Sequence, residues 1–140
     1  MKPIMQCLVV TAALICSTVA FGQTDDHAAI VKSLNYYLDG GTNSDYSTLK
    51  KAFHTEATMQ YITAEGEYKN VNALQFFSKM KPGPKSNRKT RITRVDVNGT
   101  AASARIEIDY DDFRFVDFMN LLKVDGQWLI VSKIFYRETN

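Results

Sequence analysis

The spacing of apolar residues changes along the chain, and each change marks an element. From Asp25 to Asp39, Ile30, Leu34, Tyr37 and Leu38 recur at helical intervals, which predicts a first helix. Thr24, Asp25 and Asp26 supply its cap and an acidic first turn, and Gly40-Gly41 its end. Asp45 caps a second, short helix carrying Leu49, Ala52 and Phe53, with His54 closing its C-terminus. The period then falls to two. Met59 and Tyr61 alternate with Gln60 and Ile62, so residues 58–63 read as a strand. Ala64-Glu65-Gly66 turns it, and a return strand covers residues 67–69. Asn70 caps a third helix carrying Val71, Leu74, Phe77 and Phe76. Pro82-Gly83-Pro84 makes residues 80–87 a loop.

Four long strands follow, over residues 88–136. Asn98-Gly99 and Asp125-Gly126 are hairpin turns, because both central positions of such a turn need a positive φ. The first hairpin aligns Val95 and Val97 with Ala102, Ala104, Ile106 and Ile108. Ile92 has the wrong parity for that face. A one-residue bulge near Thr93 or Arg94 would restore it, bend the sheet and set Lys89 and Arg91 near Glu107 and Asp109. In the last hairpin a two-residue turn pairs Lys123 with Trp128, Leu121 with Ile130, Met119 with Ser132, and Asp117 with Ile134. Phe115 and Tyr136 share that face. Phe118, Leu122, Leu129, Val131 and Phe135 lie on the other, together with Val116, Asn120, Val124 and Lys133. Both faces are mostly apolar. One covers the domain's own core; the second predicts a homodimer through Phe118, Leu122, Leu129, Val131 and Phe135.

The N-terminus has its own pattern. Met1-Lys2 and an apolar stretch from Cys7 to Phe21 read as a secretory signal peptide, residues 1–22, cut after Ala20-Phe21-Gly22 and before Gln23. That expectation places the mature protein in the periplasm or outside the cell, without stable membrane insertion. It leaves 140 − 22 = 118 residues, enough for a single domain over 23–140. Cys7 and Cys16 leave with the signal, so the mature domain has no disulfide, thiol nucleophile or cysteine metal site. The net charge of +2 does not point to bulk nucleic-acid binding.

Candidate chemistry is sparse. Asp117 is a carboxylate on an otherwise apolar strand face, the pattern of a polar group orienting a ligand or acting as an acid. Ser132 has no histidine near it in sequence, which disfavours a hydrolytic triad. His27, His54 and Glu56 fall in different elements, so no metal site is assigned. The basic stretch Lys79, Lys81, Lys85, Arg88, Lys89, Arg91 and Arg94 contains no aromatic residue, which argues against single-stranded nucleic acid. It reads as a solvated surface balanced by Glu107 and Asp109.

The order of elements, with Tyr36-Tyr37-Leu38-Asp39-Gly40, the Phe53 to Met59 junction and the closing Leu121-Leu-Lys-Val-Asp-Gly-Gln-Trp-Leu-Ile-Val131, resembles the nuclear transport factor 2-like superfamily. Within it the chain is similar to the secreted bacterial lumazine-binding-like and polyketide-cyclase-like (SnoaL-like) branch. The resemblance implies an α+β, cystatin-like fold: a cone-shaped curved sheet, mixed or antiparallel, packed on three helices around a pocket. It also implies that ketosteroid isomerases of the superfamily carry a base near the position of Gln60 or Tyr61. Neither is a carboxylate, so that activity does not transfer. The expected ligand is a small apolar or aromatic molecule held without a cofactor by Tyr36, Tyr37, Met59, Tyr61, Phe77, Phe115, Asp117, Met119, Trp128 and Ser132. Two alternatives are an isomerase, cyclase or dehydratase using Asp117 and a tyrosine, and an interaction module without catalysis.

Overall fold

The computed structural model describes residues 19–139, with side chains from residue 25. Most of the expected signal peptide, residues 1–18, lies outside the described residues. Among the described residues the fold is one six-stranded sheet curved over three helices; with β1 Phe53–Ile62, β2 Tyr68–Asn72, β3 Lys89–Asn98, β4 Ala101–Asp109, β5 Phe113–Val124 and β6 Gln127–Thr139, the strand order is β2-β1-β6-β5-β4-β3. Among the described residues only the β1–β6 pair is parallel.

Helix α1 (Val19–Thr42) crosses the inner face of the sheet, and Ile30, Leu34, Tyr37 and Leu38 are all buried against it. It differs from expectation at both ends. Asp25 and Asp26 sit within the helix, and Asp26 accepts from Lys123 Nζ at 2.7 Å and Trp128 Nε1 at 3.0 Å, fastening α1 to the last hairpin. Gly40 and Gly41 do not end the helix but permit close packing. A Cβ on Gly40 would stand 2.5 Å from the backbone nitrogen of Leu49. The chain instead leaves α1 through Ser44 at φ 53°. Because the obstacle at Gly40 is backbone, Gly40→Ala should destabilise the protein by about 1–3 kcal/mol. A urea titration checks this; an unchanged midpoint would refute the close-packing role.

Asp45 caps α2 (Tyr46–Leu49), its carboxylate accepting from Thr48 N at 3.1 Å. One 3₁₀ turn, Lys50–Ala52, then leads into β1 (Phe53–Ile62). Strand β1 therefore begins earlier than alternation indicated. His54 lies in it rather than on a helix end, and accepts from Glu56 N at 3.1 Å. Strand β2 (Tyr68–Asn72) absorbs Asn70 and Val71, so the cap of α3 (Ala73–Phe77) is Asn72, which accepts from Gln75 N at 2.9 Å.

Strands β3 (Lys89–Asn98) and β4 (Ala101–Asp109) carry the expected bulge, between Ile92 and Arg94. Arg91 bonds Asp109 at 2.7 Å and pairs with Glu107 on the outer face, as the bulge predicts. Arg105 and Arg114 complete this ion-pair cluster. Arg88 departs from the solvated-surface reading. It turns inward, giving Nη2 to Leu38 O and Nη1 to Tyr110 Oη, both at 3.0 Å, and so tethers the loop to the end of α1.

The largest departure lies between β5 (Phe113–Val124) and β6 (Gln127–Thr139). Near the turn the expected register holds, with Lys123 opposite Trp128 and Leu121 opposite Ile130. A bulge at Val131 then shifts the ladder by one, so Met119 faces Lys133 and Asp117 faces Phe135. Side chains alternate along a strand, so one extra residue exchanges the faces of everything beyond it. Ser132, Ile134 and Tyr136 move to the outer face; Lys133 and Phe135 move in.

Candidate functional site

The bulge brings a charge pair into the core. Asp117, Met119, Lys133 and Phe135 become neighbours on the inner face, opposite α1. Asp117 is 0% exposed, Lys133 4% and Tyr37 6%. Tyr37, from α1, donates its hydroxyl hydrogen to Asp117 Oδ2 at 2.8 Å. The other oxygen, Oδ1, forms an ion pair with Lys133 Nζ but no well-angled hydrogen bond. The ammonium also lies 4.3 Å from the centre of the Phe135 ring and 5.6 Å from that of Tyr37. A cation facing aromatic rings is stabilised by their quadrupoles, and more so when water is absent.

Burial acts on both of Asp117's partners. It pushes the Tyr37 phenol well above its usual 10.0, and the adjacent Asp117 charge adds to the effect. Tyr37 therefore stays a proton donor at all physiological pH. Burial lowers Lys133 from the ordinary 10.5, while Asp117 pulls in the opposite direction by favouring the ammonium. The arrangement offers a hydrogen-bond donor, a carboxylate and an amine within a few ångströms, all shielded from water.

Aromatic side chains wall this trio on two sides. Tyr37, Phe53 and Phe77 form one cluster, with ring centres 5.6–5.9 Å apart. Along the sheet, Tyr61 stacks on Phe135 at 4.9 Å, and Phe135 meets Phe115 edge-on at 5.5 Å. Tyr61, Phe77, Phe115 and Phe135 are half-buried, so this wall reaches the surface while its floor does not.

The residues expected to line the pocket therefore divide. Tyr37, Asp117, Met119 and Phe77 belong to this interior, with Met59 buried in the same core and Tyr61 and Phe115 at its rim. Tyr36 and Trp128 lie elsewhere, in a cleft of about 440 Å³ between α1 and the last turn, with Lys32, Ser33 and Lys51. Ser132 is moved by the bulge to the outer face, and lies between Thr58 and Asn120. Of the expected interface, Phe118 and Leu122 are exposed and Leu129 and Val131 half-buried. Phe135 is instead part of the interior wall. The outer face gains Ile134 and Tyr136, which with Ile62, Tyr68 and Phe118 border an apolar groove of about 320 Å³.

Strict alternation puts Lys133 on the outer face. The available signal was chemical: a lysine inside Val131-Ser-Lys-Ile134 has a natural counter-charge in Asp117 on the adjoining strand.

Residues 25–136 match the family model described as "Putative lumazine-binding". A nuclear transport factor 2-like protein of unknown function from Shewanella baltica is 36% identical with a TM-score of 0.75, covering 84% of this chain and 97% of that one. Another, from Methylobacillus flagellatus, is 32% identical with a TM-score of 0.71, covering 81% and 93%. Aldolase FrzH of Cladobotryum sp. is 23% identical over 116 residues, 81% of this chain and 92% of that protein.

Proposed function

This chain belongs to the lumazine-binding-like family of the nuclear transport factor 2-like superfamily, and from that premise we propose that it is a small-molecule-binding domain whose ligand enters between the aromatic walls and meets Tyr37, Asp117 and Lys133. The supporting observation is the buried Asp117–Lys133 pair itself. Removing two charges from water costs several kcal/mol each, and a well-packed apolar pair of the same volume is often at least as stable. Such a pair under half-exposed aromatic rings fits a polar anchor for a ligand better than a structural brace. The ligand is small and largely apolar or aromatic, to match Phe77, Phe115, Phe135 and Tyr61. The signal-like N-terminus makes export part of this reading, with the ligand met in the periplasm or outside the cell.

The test begins with native mass spectrometry of gently purified protein, to identify a co-purifying small molecule. Tyr37→Phe removes one donor beside a charged group, which typically costs about 1.5–3 kcal/mol, so affinity should fall roughly ten- to hundredfold if that donor serves the ligand. If the ligand moves the Trp128 and Tyr36 signals but leaves the Met119 methyl unchanged, the binding site is the cleft beside α1, and this reading fails.

An enzymatic alternative uses the same residues. Tyr37 and Asp117 at 2.8 Å form an acid–base pair of the kind expected for cofactor-free isomerisation or cyclisation. The relative's name, aldolase, adds carbon–carbon bond formation to that class. The exposed apolar outer face favours a homodimer in either case.

A further inference from the structure

We infer that Lys133 is a nucleophilic amine for carbonyl compounds, capturing an aldehyde or ketone as an iminium paired with Asp117. The inference deepens the binding proposal above and rests on it, since the carbonyl compound must enter the same aromatic interior. Its basis is the placement of one amine. Lys133 is a buried lysine whose Nζ contacts a buried carboxylate and two aromatic faces. By contrast Lys51 and Lys123 lie on exposed or half-exposed surface.

Each participant has a balanced role. The Lys133 ammonium passes a proton to Asp117, leaving a free amine. The amine attacks the carbonyl carbon; a C–N bond forms and the carbonyl π electrons move to oxygen. A proton then shifts from nitrogen to that oxygen, giving a neutral carbinolamine. Asp117 returns its proton to the hydroxyl, which leaves as water while the nitrogen lone pair forms the C=N bond. In sum, one ammonium and one carbonyl compound give one iminium and one water. Charge is conserved at every stage, so the cation that begins against Asp117 and the Phe135 ring ends there too.

Tyr37 suits this sequence because its phenol remains protonated. It donates to Asp117 Oδ2 when the site is empty, and it can donate to the carbonyl oxygen while Asp117 holds a proton. The lowered basicity of Lys133 favours the free amine, in line with this geometry. Access requires Phe135 to swing from its place between Tyr61 and Phe115, both at the rim.

The test uses the full wild-type chain with hydrocinnamaldehyde and cyanoborohydride near neutral pH, followed by peptide mapping. The reductant delivers hydride to the iminium carbon and fixes the adduct as a secondary amine. Ordinary lysines are neutral about once in 10³ near pH 7, so Lys133 should be labelled at least roughly tenfold faster than Lys51 or Lys123. Excess hydrocinnamyl alcohol, which cannot form an iminium, should slow that labelling and shift the Met59 and Met119 methyl signals. Labelling of surface lysines with Lys133 untouched overturns the inference. If the alcohol still shifts those methyls, the pocket reading survives and only the amine role is lost. If it shifts neither, both fall.

Discussion

Asp117→Ala is expected to lower stability by about 3–5 kcal/mol, among the largest single effects in this protein, because it strands a buried ammonium. Lys133 has Asp117 as its ion-pair partner, and its remaining neighbours include the Tyr37 and Phe135 rings. The same substitution leaves the Tyr37 hydroxyl without its acceptor. Replacing both charges, as in Asp117→Leu with Lys133→Met, should recover most of the loss, since no charge is then buried alone. Urea titration of the two variants checks this. A double variant no more stable than Asp117→Ala would mean that the pair is a structural brace after all.

The loss should also depend on pH in a defined direction. Lys133 is less basic in the folded chain than in the unfolded one, where it approaches 10.5. Between those two values the unfolded chain binds more protons, so stability rises with pH. In the native protein the Asp117 charge restrains the shift. Asp117→Asn removes that restraint and extends the window toward neutrality. The variant should therefore gain stability as pH rises toward about 10, by at most roughly 1.4 kcal/mol per unit. Tyr37 acts oppositely at higher pH. Its phenol is raised above 10.0 in the folded state, so the unfolded chain ionises first and stability falls as pH climbs through that folded value. A flat profile for Asp117→Asn as pH rises toward about 10 would mean that Lys133 keeps its proton without its partner.

Much of this fold could be read from local rules. Asp45 capped its helix because a short acidic side chain reaches the exposed amide of Thr48. The bulge at Thr93 announced itself because Ile92 had the wrong parity for a buried face. The bulge at Val131 gave no such warning. Both faces of β6 carry apolar residues, so either parity satisfied the pattern, and the register was free to shift. That ambiguity exchanged Ser132 for Lys133 in the site and misplaced Phe135. Gly40-Gly41 looked like a helix end because glycine favours that position; the close approach of Leu49 is a tertiary fact that no local rule contains. Asp117 stands out in the sequence as a carboxylate on an apolar strand face, and Tyr37 as a helix tyrosine among the aromatic residues expected at the pocket. Their 2.8 Å contact spans eighty residues of chain and depends on how α1 lies across the sheet.

The double substitution Phe118→Glu with Ile134→Glu should convert a dimer into a monomer. Phe118 and Ile134 are register partners on β5 and β6, each 46% exposed, and Gln60 of β1 continues the same row. Ile62, Tyr68, Leu122 and Tyr136 extend the apolar surface around them. A stable interface covers about 800 Å² on each partner, and a broad apolar sheet face suits that purpose. A two-fold pairing of these faces would bring four new carboxylates together at its centre. If desolvating them costs even about 3 kcal/mol, dissociation becomes more than roughly a hundredfold easier. The monomer's own fold should change by only about 0.5 kcal/mol, because both positions are open to solvent in one chain. Sedimentation at tens of micromolar (roughly the range in which such an interface should hold) distinguishes the cases. A wild-type chain that sediments as a monomer there would overturn the dimer. A dimer that survives both glutamates would place the interface on another surface, leaving this groove for a different occupant.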